Sequence, residues 1–354
     1  MYGIIDDTYL TDIASAIRSK AGTSNTYTLS QMAGAVDGIQ TLDTLVERTL
    51  TEYSGNVSVV GDHAFYGCSV LASVSIPACV SMGSSAFAKC SALASIDLPV
   101  CTSVGNYTFQ NCSALASISL PMCTSVGNYT FQNCSALASI SLPMCTSVGN
   151  FAFQGCSALA SIRLSVCTTV GNNAFANCFA LTTISLPACT SMGTQAFYYC
   201  SELTSVSLPA CTSMGSAVFY TCRALKRVNL PACKTVSSAT FYYCSALTSV
   251  SLPVCTSIGN TAFMYCYELT SVSLPACTSV GNSVFCSCYK LISLYLTSVS
   301  SVPALGTSVF YSTPIGGYAV SAGRYGSVFV PMSLVNAFKV ATNWASISSR
   351  IVGV

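Results

Sequence analysis

A chain of 354 residues that is 52% apolar and only 7% charged still holds no stretch near the 18 unbroken apolar residues of a membrane span, because Ser, Thr, Gly and Asn interrupt it throughout. Its net charge of +2 gives no general reason to expect nucleic acid. The distribution is uneven, with eight of the eleven acids in residues 1–66 and seven bases against three acids in 67–300.

The first 45 residues predict a small helical module. Leu10, Ile13 and Ile17 fall on one face of a helix over 6–21 with Gly22 as its stop, and Thr28-Leu29-Ser30-Gln31 is a capping box for a second short helix. The opening lacks a basic n-region, an apolar h-region and a small-residue cleavage site, so no secretory signal is expected and synthesis is placed in a bacterial cytoplasm.

After an opening cap at 46–67 comes a repeat, and cysteine is its ruler. From Cys68 to Cys288 a cysteine stands at every eleventh position, with Cys286 alone off the grid. The period is 22, two cysteines to a unit; ten full units start at Cys68 and an eleventh, begun at Cys288, fades after Leu296. Residues 101–122 and 123–144 are identical, as a tandem duplication leaves them. Such a period means a solenoid whose units bury their faces only by stacking, here over 68–306.

Within a unit the pattern reads C-S-A-L-x-S-I-S-L-P-x-C-T-S-V-G-N-x-x-F-x-x. Leu137, Ile140, Leu142 and Cys145 reproduce L-x-x-L-x-L-x-x-(N/C), and Ser139-Ile140-Ser141 alternates as a half-buried strand does, apolar side in. Pro143 ends the strand; Val148 and Gly149 mark an apolar stop and a bend; Phe153 returns to the core. The 22 thiols, in phase with the leucines, are read as small buried apolar groups rather than disulfides. Over 307–354 the segment Val328-Phe329-Val330-Pro331 predicts a last strand, and Leu334, Val335 and Phe338 the apolar face of a helix with Trp344 beyond, together a closing α/β cap.

"LTSVSLPACTSMGSAVFYTC" (203–222) and "LTSVSLPVCTSIGNTAFMYC" (247–266) resemble the BspA-like leucine-rich repeats. The resemblance covers about 58–310 and implies a solenoid with a parallel β-sheet face; the second cysteine of each unit departs from the usual pattern. The opening "YLTDIASAIRSKAGTSNTYTLSQMAGAV" resembles a segment of phage and prophage tail-associated proteins. That likeness implies attachment to other tail proteins and a place in the virion or a prophage-derived particle.

Catalytic chemistry finds little footing. His63 is the sole histidine and is read as a surface residue; Asp97, Glu202 and Glu268 stand roughly 23 and 14 Å apart at strand spacing, too far for a carboxylate pair. No cofactor motif and no zinc-like Cys/His set is present; Cys286 and Cys288 read as a surface thiol beside a core thiol rather than a metal pair. No catalytic residue is assigned.

Binding is the remaining use. Serine is the background of the strand face, so the exceptions stand out. Arg223, Lys226, Arg227 and Lys234 put four bases into one coil, a focus for an acidic glycan, teichoic-acid phosphate or a partner's carboxylates. Tyr220, Tyr242 and Tyr265 belong to a tyrosine stripe beside the Phe-x-x-Cys turn, suited to sugars or protein partners, and Tyr295 is a further exception on the strand face. The expectation is a non-enzymatic phage or prophage tail protein that recognises a host cell-surface glycan or envelope polymer. The alternatives are a cell-surface adhesin of the BspA-like family and a purely structural spacer.

Overall fold

Three alternating residues are enough to make a strand when the next coil repeats them. In Ser117–Ser119 the central Ile118 is buried between exposed serines, and it lies beside Ile140 of Ser139–Ser141, 22 residues on, in a parallel pair. The computed structural model describes residues 50–318 and 325–354, and it divides into two compact units, one ending at Cys167 and the other starting at Thr168. The helical module expected over 1–45 lies outside the described residues. Both units are parallel-sheet β-solenoids of the leucine-rich repeat type.

In the first unit, strands Glu52–Ser54, Ser73–Ser75, Ser95–Asp97, Ser117–Ser119, Ser139–Ser141 and Ser161–Arg163 form one sheet in chain order. The opening segment is thus already a coil. A second ladder runs along the stack from Val59–Val60 through Ser81–Met82, Ser103–Val104 and Ser125–Val126 to Ser147–Val148. The apolar stop expected at Val148 is therefore a two-residue strand, its serine toward solvent and its valine in the core.

Glycine follows this short strand for a steric reason. A Cβ on Gly127 would meet the amide N of Asn106 and the carbonyl C of Gly105 at 2.9 Å, below any normal contact. The asparagine after it serves the same seam, since Asn106 Oδ1 accepts from the Asn128 N–H at 2.7 Å, and Asn128 Oδ1 from that of Asn150 at 2.7 Å.

The third side of each coil uses left-handed backbone at two positions four residues apart. Ser85, Tyr107, Tyr129 and Phe151 have φ between 56° and 59°, and Lys89, Asn111 and Asn133 between 59° and 64°. Left-handed backbone costs an L-residue roughly 1–2 kcal/mol. What it gains is a ladder in one direction: the N–H groups of Tyr107, Phe109 and Asn111 donate to the carbonyls of Asn128, Thr130 and Gln132 in the following coil at 2.8–2.9 Å.

Between the three sides lies the core. Leu115, Ile118, Leu120, Val126 and Phe131 are all buried, and the phenylalanines stack coil on coil, Phe109 and Phe131 with centroids 5.4 Å apart and planes 5° from parallel. All 22 cysteines are buried thiols outside any disulfide. They are more than small apolar groups, because each column has its own acceptor: Cys112 Sγ donates to the Phe87 carbonyl of the preceding coil at 3.1 Å, and Cys101 Sγ to the Ser103 carbonyl of its own coil at 3.3 Å. Cys286 is buried beside Cys288, which corrects the expectation of a surface thiol there.

In the second unit the same coil recurs, with strands Thr183–Ser185, Ser205–Ser207 and Arg227–Asn229 in one sheet and Ser249–Ser251, Ser271–Ser273 and Ser293–Tyr295 in another. The eleventh repeat does not fade after Leu296. It completes a coil enlarged by three residues, so that Ser279 pairs with Ala304, 25 positions on, and Ser308, Phe310 and Ser312 rebuild the third side.

The cap then lays Ser327–Val330 beside Ser293–Tyr295, and Ile351–Gly353 beside that. The expected strand at 328–330 is thus the penultimate one. Helix Val335–Val340 buries Phe338, while Leu334 and Val335 remain half-exposed. Trp344 is fully buried against Phe338, and its Nε1 donates to the Pro303 carbonyl at 2.8 Å.

Candidate functional site

In three successive coils of the second unit the residue after the core phenylalanine is a tyrosine, Tyr198, Tyr220 and Tyr242, each half-exposed at the same place in its coil. Tyr198 stacks on Tyr220 at 5.1 Å, Tyr220 on Tyr242 at 4.6 Å with planes 1° apart, and Tyr242 meets Tyr265 edge-on at 5.3 Å. A second file continues beside it, from Tyr243 to Tyr267 at 5.5 Å and from Tyr267 to Tyr289 at 5.3 Å, stacked within 5°.

This geometry changes what the stripe offers. Rings 4.6 Å apart and parallel cover one another's faces, so Tyr220 and Tyr242 present edges and phenol hydroxyls to solvent rather than a stacking platform. The hydroxyls interact with each other: desolvation and then the neighbouring phenols Tyr220 and Tyr265 raise the Tyr242 pKa, and desolvation with a hydrogen bond to Tyr243 pushes Tyr267 up to about 12. Tyr242 and Tyr267 therefore keep their protons and act as neutral donors and acceptors.

Arg223 joins the column, its guanidinium carbon 5.1 Å from the centre of the Tyr243 ring. The other three bases of that coil are exposed but go elsewhere. Lys226 precedes and Arg227 opens the strand Arg227–Asn229, where Arg227 lies beside Ser205, and Lys234 precedes the short strand Thr235–Val236 on the next side of the coil. Tyr295 is also apart, on the strand face, stacked on Phe329 at 4.9 Å. The structure therefore gathers Arg223, Tyr220, Tyr242 and Tyr265, and separates Lys226, Arg227, Lys234 and Tyr295 from them.

Tyr198, Tyr199, Tyr243, Tyr267 and Tyr289 extend the cluster, and Tyr318, 6.1 Å from Tyr289, continues it past the last coil. The 22-residue phase marks the first five; Tyr318 falls outside the repeat and has no such signal. His63 is half-exposed against Tyr66, and Glu268 is paired with Lys290 of the next coil at 2.7 Å. Among the described residues no cluster of His, Cys, Asp or Glu could hold a metal ion, and no helix is long and apolar enough to cross a membrane.

Residues 48–143, 124–248 and 212–321 match the BspA type leucine-rich repeat region. The chain belongs to the BspA-type leucine-rich repeat family. Proteins of this repeat family are in general non-enzymatic binding or structural proteins. No curated protein matches the chain. Among solved structures it is similar to a leucine-rich repeat protein from Bacteroides ovatus, at 24% identity over 78% of this chain and 88% of that one with a TM-score of 0.41. It is also similar to one from Eubacterium ventriosum, at 21% over 80% and 87% with a TM-score of 0.46. A third is the pneumococcal vaccine antigen PcpA, at 14% over 85% and 76% with a TM-score of 0.49.

Proposed function

We propose that this BspA-type repeat protein is a recognition element of a phage or prophage tail that binds a glycan or envelope polymer of the host surface along its tyrosine column. The observation that carries the binding reading is the unbroken run of contacting tyrosines from Tyr198 to Tyr289 with Arg223 laid on it. A row of phenol hydroxyls repeating once per coil, about 4.8 Å apart at strand spacing, suits a polymer whose hydroxyl or anionic oxygens recur at a similar step. The phage setting rests on the resemblance of the opening segment. A cell-surface adhesin is the second reading, and the family membership of the repeats favours it.

The test is a pull-down on intact bacterial cells across a salt series. Replacing Arg223, the base laid on the column, by serine is expected to weaken binding, most at low salt. Tyr220→Phe with Tyr242→Phe, which keep the rings and remove the hydroxyls, are expected to weaken it with little salt dependence. Serine changes at Ser117 and Ser139 to alanine should have no effect. A parent protein that binds no cells, or variants that all bind as the parent does, would leave a spacer as the better account.

A further inference from the structure

Four consecutive coils of the first unit carry an exposed apolar ridge. In the turn that ends each long strand, Val100, Met122, Met144 and Val166 stand 22 residues apart and are 41–50% exposed. The coil before them has Ala78 at this place, and the second unit has Ala188, Ala210, Ala232 and Ala276 there, with a valine again only at Val254. A coil therefore does not need the larger side chain for its own core. A contiguous apolar row of this kind marks a surface that meets something else.

Two opposite charges bracket the same four coils. Asp97, Ser119, Ser141 and Arg163 pair in register across one sheet, so they form a column with an acid at one end and a base at the other, about 14 Å apart over three strand steps. Both charged side chains are exposed, and neither has an ion-pair partner among the described residues. Every other outward position of these strands is serine, and the residue before each strand is an exposed alanine, so the face is low and flat. Along the stack the ridge runs Val-Met-Met-Val and the column Asp-Ser-Ser-Arg. Reversal leaves the first unchanged and exchanges the charges of the second.

We infer that this face binds a second copy of the chain, turned over about a two-fold axis that runs parallel to the strands between Ser119 and Ser141. That operation lays each column on its own reverse. Met122 meets the partner's Met144, Val100 the partner's Val166 and Asp97 the partner's Arg163, each contact made twice, as an isologous interface requires. A copy set parallel would put Asp97 on Asp97 and Arg163 on Arg163, so the charges select the antiparallel arrangement. Four coils by one strand and its turn give roughly 300–400 Å2 a side, about half a standard interface, so the dimer is weak and concentration-dependent. The tyrosine column takes no part in it.

Sedimentation equilibrium of the full chain tests this. Across the micromolar range the mass is expected to rise from one chain toward two and to stop there. Asp97→Arg alone, or Arg163→Asp alone, places like charges in both contacts and should weaken the dimer about ten-fold or more. An equimolar mixture of these two variants should associate as the parent does, because each then supplies the charge that the other has lost. Met122→Ser combined with Met144→Ser should weaken association about ten-fold or more by removing the apolar centre.

All four side chains are exposed, so the melting temperature of each variant should match the parent's. Tyr242→Ala should leave the dimer intact. A parent mass of one chain throughout, or growth beyond two chains, would overturn the assignment without need of any variant. So would a mixture of the two charge variants that associates no better than either alone.

Discussion

The thiol of Cys112 donates to the carbonyl of Phe87 across the seam between two coils, at 3.1 Å. Cys134 does the same to Phe109, and Cys244 to Phe219. The donor is a side chain small enough for the core, and the acceptor carbonyl also takes the backbone N–H three residues on, Cys90 N–H to Phe87 at 3.1 Å, so the thiol is its second partner. A valine there would fill the space and forgo that second bond, at a cost of about 0.5–1.5 kcal/mol.

Thiol accessibility follows directly. In the native protein a thiol reagent is expected to label almost none of the 22 cysteines, and in denaturant all of them. Extensive native labelling, or few thiols released on unfolding, would contradict the buried columns.

Alkaline pH should unfold the protein through the same groups. Burial raises the pKa of Cys112, Cys134 and Cys244, with repulsion from the neighbouring thiol second, and burial sets Cys277 at about 11. An acid whose folded pKa is raised holds its proton in the native state while the unfolded chain releases it. Stability is therefore full below the ordinary thiol pKa of about 8.5 and falls above it, by up to about 1.4 kcal/mol per pH unit for each such thiol. Melting temperatures between pH 7 and 10.5 should be flat at first and then drop steeply; a flat profile throughout would show the thiols to be solvated.

Removing residues 123–144 should leave a folded protein one coil shorter. Ser117 would then pair where Ser139 does now, with Ser161, and each seam contact has an equivalent to replace it. Circular dichroism and small-angle scattering would show unchanged secondary structure and reduced length; an insoluble product would count against independent coils.

Two single changes separate the seam from the core. Gly127→Ala drives a methyl into the backbone of Asn106 and should cost about 1–3 kcal/mol, as overpacking does. Phe131→Ala removes a ring from the stacked column and should cost about 3–5 kcal/mol. Chemical denaturation checks both, with a parallel Ser119→Ala change expected to be neutral.

The long strands were legible in the sequence because Ser-Ile-Ser states its burial pattern in the residues themselves. The two-residue strands were not, since Ser147-Val148 is too short to show a period and becomes a strand only through the coil beside it. The left-handed positions were hidden for another reason: apart from Gly67 and Gly155 they are filled mostly by Tyr, Asn, Ser and Thr, and the ladder beyond them outweighs the local cost. The tyrosine column was visible as a phase, but the covering of its faces depends on a ring spacing that only three dimensions supply. The three-residue enlargement of the last coil broke the count, and a coil that misses its period reads as no coil at all.

Identical registers in successive coils also shape how the gene can change. A replication slip that adds or drops one repeat's worth of codons keeps every column aligned, so kin of this chain should differ in coil number more readily than in coil design. Length would then drift between strains as a quick variable, while the slower substitutions accumulate on the few outward positions that distinguish one coil from the next.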